Sequence, residues 1–502
     1  MNDRHLMPWA ALDGPQRLFV GFVLLLLGGG AAAALAQVPA LLLLPAVPVL
    51  AVGAALVAAV RWRYLYYLLL GLLPFSQEIA LPGGLSLDVP SEPLMLLLTA
   101  CVLGTLLLRV GRLPTREWTH PLLLLLALML AWAAFDTFFS VAPLKSFKFL
   151  LAKVWYLVPF VLGTLLLVRR PPDVWRIGLA YSLGAALSVV YTALRHASRG
   201  FTFHDINWAL RPFYLNHVIY AAVLALLLPF CLLAWRAAEG QPARRTLWAA
   251  LGGVLLFGLL TSYTRASMLS LPIAGLFYGV VRLRQTRLLL LTVALAAAGA
   301  AAYFAYDQNY MRYRPNFERT IFNGNDFGKH LAATYQLKDV SGMERVYRWV
   351  AAARMIADKP LVGSGPATFY PEYKRYTVKS FRTYVSDNPE KSTTHNYFLL
   401  QLAEQGLPGF LLFVIFLGTA LLTAERLYHR SAGQPAVRGV VLAAMLSLVT
   451  IIFHLLLNEL VEVDKIGPMY FICIALLVKA DTWLGDASLD EEWKMRNEEL
   501  AE

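Results

Sequence analysis

The sequence predicts an all-α polytopic integral membrane protein, and three observations carry that expectation. Hydrophobic residues make up 58% of the 502-residue chain and charged residues only 15%, with a mean hydropathy of +0.57. A soluble core has no use for that much apolar surface. Apolar runs of about 20 residues, the length that crosses roughly 30 Å of hydrocarbon as a helix, recur along nearly the whole chain. Arginines fall in every second turn between these runs, which is the pattern of a threaded membrane protein.

Candidate spans lie near 18–37, 39–60, 62–76, 89–108, 121–141, 149–168, 175–194, 213–235, 247–262, 266–281, 288–306, 408–425, 437–457 and 466–480. The third is short, so about 12–14 transmembrane helices are expected. The first, LFVGFVLLLLGGGAAAALAQ, ends like the small-residue cleavage site of a secretory leader. Its length and the apolar run that follows favour a retained span. The organisation expected is a helix bundle over 1–306, a large, partly helical loop over 307–394, a short helix and C-terminal spans over 395–480, and a tail over 481–502.

The basic turns contain Arg61 and Arg63, Arg109, Arg112 and Arg116, Arg169 and Arg170, Arg236, Arg244 and Arg245, Arg282, Arg284 and Arg287, and Arg426, Arg430 and Arg438. The positive-inside rule makes these turns and both termini cytoplasmic. The outward loops are then 77–88, 142–148, 195–212, 263–265, 307–394 and 458–465. The long loop holds fourteen Lys or Arg against nine Asp or Glu, on the face where the sorting rule disfavours positive charge. An anionic ligand explains such an excess; a solvated surface or lipid headgroups explain it equally well.

Net charge is +12, but the arginines sit in short turns rather than along a groove, which argues against nucleic acid as a partner. Cys101, Cys231 and Cys473 all fall inside predicted spans, with no Cys or His at ligand spacing, so neither a disulfide framework nor a zinc site is implied. Neither a paired-aspartate motif nor a Gly-rich phosphate loop occurs. The acidic turn with Glu459, Glu462 and Asp464 offers oxygen ligands for a divalent cation, or is a solvated turn.

Three stretches bear chemistry. In TSYTRASMLSLPIAG, Arg265 opens a span at its outer end behind the capping residues Ser262 and Thr264. Free N–H groups and a guanidinium together make an anion site, or the arginine snorkels to headgroups. In SGMERVYRWVAAARMIADKPLVGSGPATFY, a helix is expected near 343–358. Val346, Trp349, Val350, Ala353 and Ile356 would share its apolar face, with Arg345 at the margin and Arg348 a further ~60° round. Paired guanidiniums there suit a phosphate, though an ordinary amphipathic helix has flanking charge too.

The third stretch, KSTTHNYFLLQLAEQGLPGF, places His395 where a polar loop becomes apolar. An unbroken helix from His395 to Arg426 would be about 47 Å long, too long for a bilayer, so a break is expected at Gly406-Leu407-Pro408-Gly409. His395 would then stand at the N-terminus of a short outer helix, where the helix dipole favours the neutral imidazole that a general base needs. A capping or headgroup-binding histidine fits the same position. Glu404, nine residues on, falls on the opposite helix face and reads as structural.

Taken together, T-R-A-S at the head of a span, R-V-Y-R-W with P-L-V-G-S-G-P-A-T-F in a large loop, and H-N-Y-F-L-L-Q-L-A-E-Q-G-L-P-G resemble the O-antigen ligase and polymerase superfamily. The resemblance implies a GT-C-like glycosyltransferase of the bacterial inner membrane with its active site on the periplasmic face. It implies a glycan donor linked to undecaprenyl diphosphate, a lipid A-core acceptor in the ligases, and no cofactor or required metal. Carried onto this sequence, the family histidine falls on His395 and its two arginines on Arg265 and Arg345; Arg345 is preferred to Arg348 because it stands four residues before Trp349. Arg211, in RPFYLNHV, resembles a further loop arginine. Polymerases and protein O-oligosaccharyltransferases share the donor and stay open as alternatives. A lipid or solute transporter is the non-enzymatic one, although no internal repeat supports it.

Overall fold

The computed structural model describes residues 62–81, 85–108, 115–307, 309, 340–381, 386, 388 and 392–499. The expected spans 18–37 and 39–60 lie outside them. Helical residues 62–72 end at the tight turn Leu73–Phe75. A hairpin follows, β1 (Gln77–Leu81) against β2 (Leu85–Val89), antiparallel with Gln77 opposite Val89 and Leu81 opposite Leu85. The sequence reading takes 77–88 as a plain loop. The alternation in QEIAL and LSLDV, with Pro82, Gly83 and Gly84 between them in sequence, is a hairpin signal.

Twelve longer helices follow: α1 (Ser91–Leu108), α2 (Pro121–Thr137), α3 (Pro143–Leu167), α4 (Pro171–Ala197), α5 (His217–Ala237) and α6 (Pro242–Thr261), then α7 (Arg265–Arg282), α8 (Thr286–Ala305), α9 (Val340–Asp358), α10 (Tyr397–Arg430), α11 (Pro435–Leu455) and α12 (Gly467–Glu499). Among the described residues eight helices are long and apolar enough to cross a bilayer, namely α3 to α6, α8, α10, α11 and Gly467–Gly485 of α12; α1 and α2 are shorter apolar helices. This is an all-α polytopic membrane fold. Five of the helices have proline as their first residue, where the missing N–H has no intrahelical partner to lose.

The centre of the bundle is built on α5, α11 and α12, whose residues are largely buried. By contrast, among the described residues none in the apolar run of α8 is buried, and only Leu289 and Leu290 pack partly against the core. α12 runs on through the boundary expected at 480/481, and the segment taken as a tail therefore starts inside a helix.

α10 breaks where expected. Gly406 has φ 64° and ψ −172°, a conformation open almost only to glycine. The break frees backbone groups, and at membrane depth such groups need protein partners. The PLVGSG segment supplies them. Ser364 N–H donates to the Ala403 carbonyl (3.1 Å), Gly365 N–H to that of Glu404 (2.8 Å), and Leu407 N–H to that of Pro360 (2.8 Å). Trp132 Nε1 reaches the Gln405 carbonyl at 3.0 Å. The buried Glu404 carboxylate accepts from Ala367 N–H at 2.9 Å and Phe369 N–H at 2.8 Å, the structural part its helix face suggests.

Candidate functional site

α10, α11 and the start of α12 form consecutive antiparallel passes, so residues 395–397 and the turn after α11 meet at one end of the bundle. Asn396 caps α10, its side chain accepting from Leu399 N–H at 3.0 Å, and its Nδ2 donates to the Leu456 carbonyl at 3.2 Å. His395 therefore precedes the cap instead of forming it. Its φ of 52° is a left-handed conformation that histidine tolerates better than bulkier residues. The turn points its ring at the loop after α11, where Nδ1 lies 3.3 Å from Asn458 Oδ1.

His395 is largely buried, and burial is the main cause that lowers its basicity below the ordinary imidazole value. The negative charge of Glu459 pulls the other way, Arg348 and Arg345 lower it, and the Asn458 hydrogen bond raises it slightly. The neutral ring inferred from the helix dipole is thus favoured for a different reason, desolvation. With the Asn458 oxygen facing Nδ1, that nitrogen holds the proton and Nε2 keeps the lone pair.

The second wall of the site is α9. The helix expected at 343–358 is present and begins at Val340, but its buried face differs from the one expected. Glu344, Tyr347, Arg348, Val350, Ala351, Ala352 and Met355 are buried, whereas Trp349 is 38% exposed and Ala353 is exposed. Hydrophobic periodicity missed this because two charged residues turn inward as a pair, Arg348 Nη2 lying 3.6 Å from Glu344 Oε2. Ser386 Oγ donates to the other Glu344 oxygen at 2.6 Å.

Arg348 and Trp349 grip the chain just before the histidine. Arg348 Nη1 donates to the Thr393 carbonyl at 3.2 Å and Trp349 Nε1 to the Thr394 carbonyl at 2.8 Å. Arg348, one of the candidate phosphate arginines, has its charge largely answered by Glu344. Arg345, half-buried one turn before Trp349, contributes positive potential at His395.

Arg265 is the first residue of α7, behind Thr264, as expected, and is half-buried. Thr264 Oγ1 donates to the His217 carbonyl at 3.1 Å. One half-turn on, Ser267 Oγ lies 2.9 Å from His454 Nε2, and the His454 carbonyl accepts from Leu457 and Asn458 N–H. The first turn of α7, which Arg265 opens, thus packs through Ser267 against the end of α11 that leads into the turn holding His395. Arg211 is exposed; its carbonyl accepts from Tyr191 OH at 3.0 Å and from Arg195. These contacts tie it to α4 and leave it outside the His395 cluster.

The acidic turn considered for a cation is used otherwise. Glu462 pairs with Lys153 at 2.6 Å and accepts from Tyr397 OH, while Asp464 pairs with Lys465 at 3.1 Å and accepts from Ser91 Oγ. Among the described residues no group of three or more metal-ligating side chains forms. Asn458 and Glu459, which orient and polarise His395, were not singled out for that part from the sequence. They lie 63 and 64 residues downstream, with no local signal linking them to the histidine.

Residues 249–414 match the family described as O-antigen ligase. The match supports membership of the O-antigen ligase/polymerase superfamily. It covers about a third of the chain and runs from α6 through the break in α10. Of the residues placed in the site, Arg265, Arg345, Arg348 and His395 fall inside the segment matched to the O-antigen ligase family, while Arg211, Asn458 and Glu459 fall outside it. No curated protein gives a significant match to the chain.

Proposed function

We propose that this protein is an O-antigen ligase, transferring a glycan from undecaprenyl diphosphate to a sugar hydroxyl of lipid A-core. The observation that carries the reading is the largely buried imidazole of His395, kept neutral by desolvation, held at Nδ1 by Asn458 and bordered by the arginines of α9. That is a base beside a phosphate-binding surface. The membrane setting supports a lipid-linked donor.

In the reaction, the acceptor hydroxyl oxygen attacks the anomeric carbon as the bond from that carbon to the diphosphate oxygen breaks. The bonding pair leaves with the lipid diphosphate. His395 Nε2 takes the hydroxyl proton, and a single displacement inverts the anomeric centre. Arg265 and Arg345 hold the diphosphate and its growing charge, an electrostatic contribution of about 3 kcal/mol per donor in comparable sites. Arg348 helps where its pairing with Glu344 leaves donors over, and mainly positions Thr393 and the histidine after it; Arg211 serves at the periphery. No metal takes part in this scheme, because the arginines supply the positive charge. The inner membrane is the setting, with the site on its periplasmic face and the arginine-rich turns on the cytoplasmic one.

The test is transfer in vitro with purified protein, undecaprenyl-diphosphate-linked glycan, lipid A-core and EDTA. Changing His395→Ala should lower the rate by about 10²–10⁴-fold while leaving the unfolding temperature of the protein near wild type. Full transfer by a folded variant would remove His395 from the chemistry. Lengthening of the lipid-linked glycan with no transfer to core would make the protein a polymerase.

A further inference from the structure

At the opposite end of α10 from His395 lies a cavity of about 550 Å³, walled by Arg284 from the turn between α7 and α8, by Arg287 from the first turn of α8, and by Glu425, Arg426, His429 and Arg430 from the last turns of α10. Four guanidiniums converge there against few carboxylates. Arg426 and Arg430 share Asp481 of α12, each at 2.8 Å. Glu425 is turned to the start of α8, accepting from Thr286 N–H at 3.1 Å and Thr286 Oγ1 at 2.6 Å. His429 donates from Nε2 to the Val281 carbonyl at 2.8 Å, which fixes its ring in the wall. Four arginines against two acids leave a surplus of two positive charges around one cavity.

We infer that this cavity binds the phosphate group of an anionic ligand, and that a phospholipid headgroup is its natural source. Guanidinium forks match phosphate oxygens in pairs, and basic pockets between membrane helices on the arginine-rich side are where anionic headgroups settle. The volume lies in the range of a small-ligand site. The lipid source follows from α8. Apart from Leu289 and Leu290, which pack partly against the core, its apolar run is exposed among the described residues, so in a bilayer the cavity at its foot would open beside acyl chains, and a lipid lying along α8 would bring its headgroup to Arg284 and Arg287. Free phosphate would use the same donors without that guide.

The experiment uses the full-length protein, delipidated in non-ionic detergent, with native mass spectrometry and thermal unfolding as readouts. Phosphatidylglycerol, phosphatidylcholine and inorganic phosphate are added separately to wild type, to Arg284→Gln/Arg287→Gln, and to Arg169→Gln/Arg170→Gln, a control at the same end of the bundle. Wild type should retain phosphatidylglycerol in preference to phosphatidylcholine. The first variant should bind it roughly ten-fold more weakly, the loss of about one charge-assisted contact, and the control should match wild type. Stabilisation of wild type by inorganic phosphate as strong as by phosphatidylglycerol, again lost in the first variant, keeps the site and assigns it to free phosphate. Equal retention of both lipids by wild type, or equal binding by all three proteins, overturns the inference. Each variant's unfolding temperature without ligand separates lost binding from lost folding.

Discussion

Adding one methyl group at Gly406 should undo the joint between the PLVGSG segment and α10. Gly406 sits at φ 64°, ψ −172°, and a Cβ built there would lie 2.1 Å from the Leu361 carbonyl oxygen and 2.4 Å from its carbon. Those are backbone atoms and cannot rotate away. An L-residue in that conformation costs on the order of 1–3 kcal/mol by itself. Relief of the overlap requires residues 360–365 to withdraw, and with them the hydrogen bonds from Ser364 and Gly365 N–H to the carbonyls of Ala403 and Glu404 and from Leu407 N–H to that of Pro360. At a net ~1 kcal/mol each, partial loss of these brings the expected destabilisation of Gly406→Ala to about 3–5 kcal/mol. Thermal unfolding of the purified protein in detergent measures it, against Gly418→Ala, whose nearest neighbour would be 3.8 Å away and which should be silent. Gly363→Ala meets the same joint from the other side, 2.4 Å from the Glu404 carbonyl oxygen at φ 63°. The two should therefore be markedly less than additive. An unfolding temperature for Gly406→Ala equal to wild type, or full additivity with Gly363→Ala, would refute the picture of one shared joint.

The pH profile of transfer offers a second check. Burial holds His395 below the usual imidazole value, and a base works when neutral, so the rate should be flat above about pH 6.5 and fall on the acid side. Glu459 raises the His395 basicity, so Glu459→Gln should move the acid limb to lower pH; an unmoved or raised limb contradicts the assigned coupling. A third concerns the pair of Lys153 and Glu462. Lys153→Met leaves the Glu462 carboxylate short of its partner and should cost roughly 3 kcal/mol, whereas Lys153→Met with Glu462→Gln should recover part of it. Chemical unfolding in mixed micelles would detect the difference, and equal stability of the single and double variants would show the pair to be idle.

Much of the site was legible along the chain because its parts are local. The break in α10 follows from Gly-Leu-Pro-Gly set in an apolar run too long for a bilayer. The place of Arg265 at the head of α7 follows from a polar turn meeting an apolar segment. On α9 the same reasoning failed at one face, since periodicity counts charged residues as exposed and Glu344 and Arg348 turn inward by pairing with each other. The hairpin at Gln77–Val89 was overlooked in a stretch treated as a connection between spans.

By itself, then, the sequence determined that this chain threads a membrane, which end collects arginine, and where the long helix must break, because bilayer thickness and backbone satisfaction act on contiguous residues. Only the tertiary structure decided what surrounds His395. Asn458 and Glu459 reach it from another helix connection, Arg348 and Trp349 grip the chain ahead of it, and PLVGSG fills the break in α10. Those pairings depend on helices meeting in space, and the burial that keeps the imidazole neutral exists only once they have met.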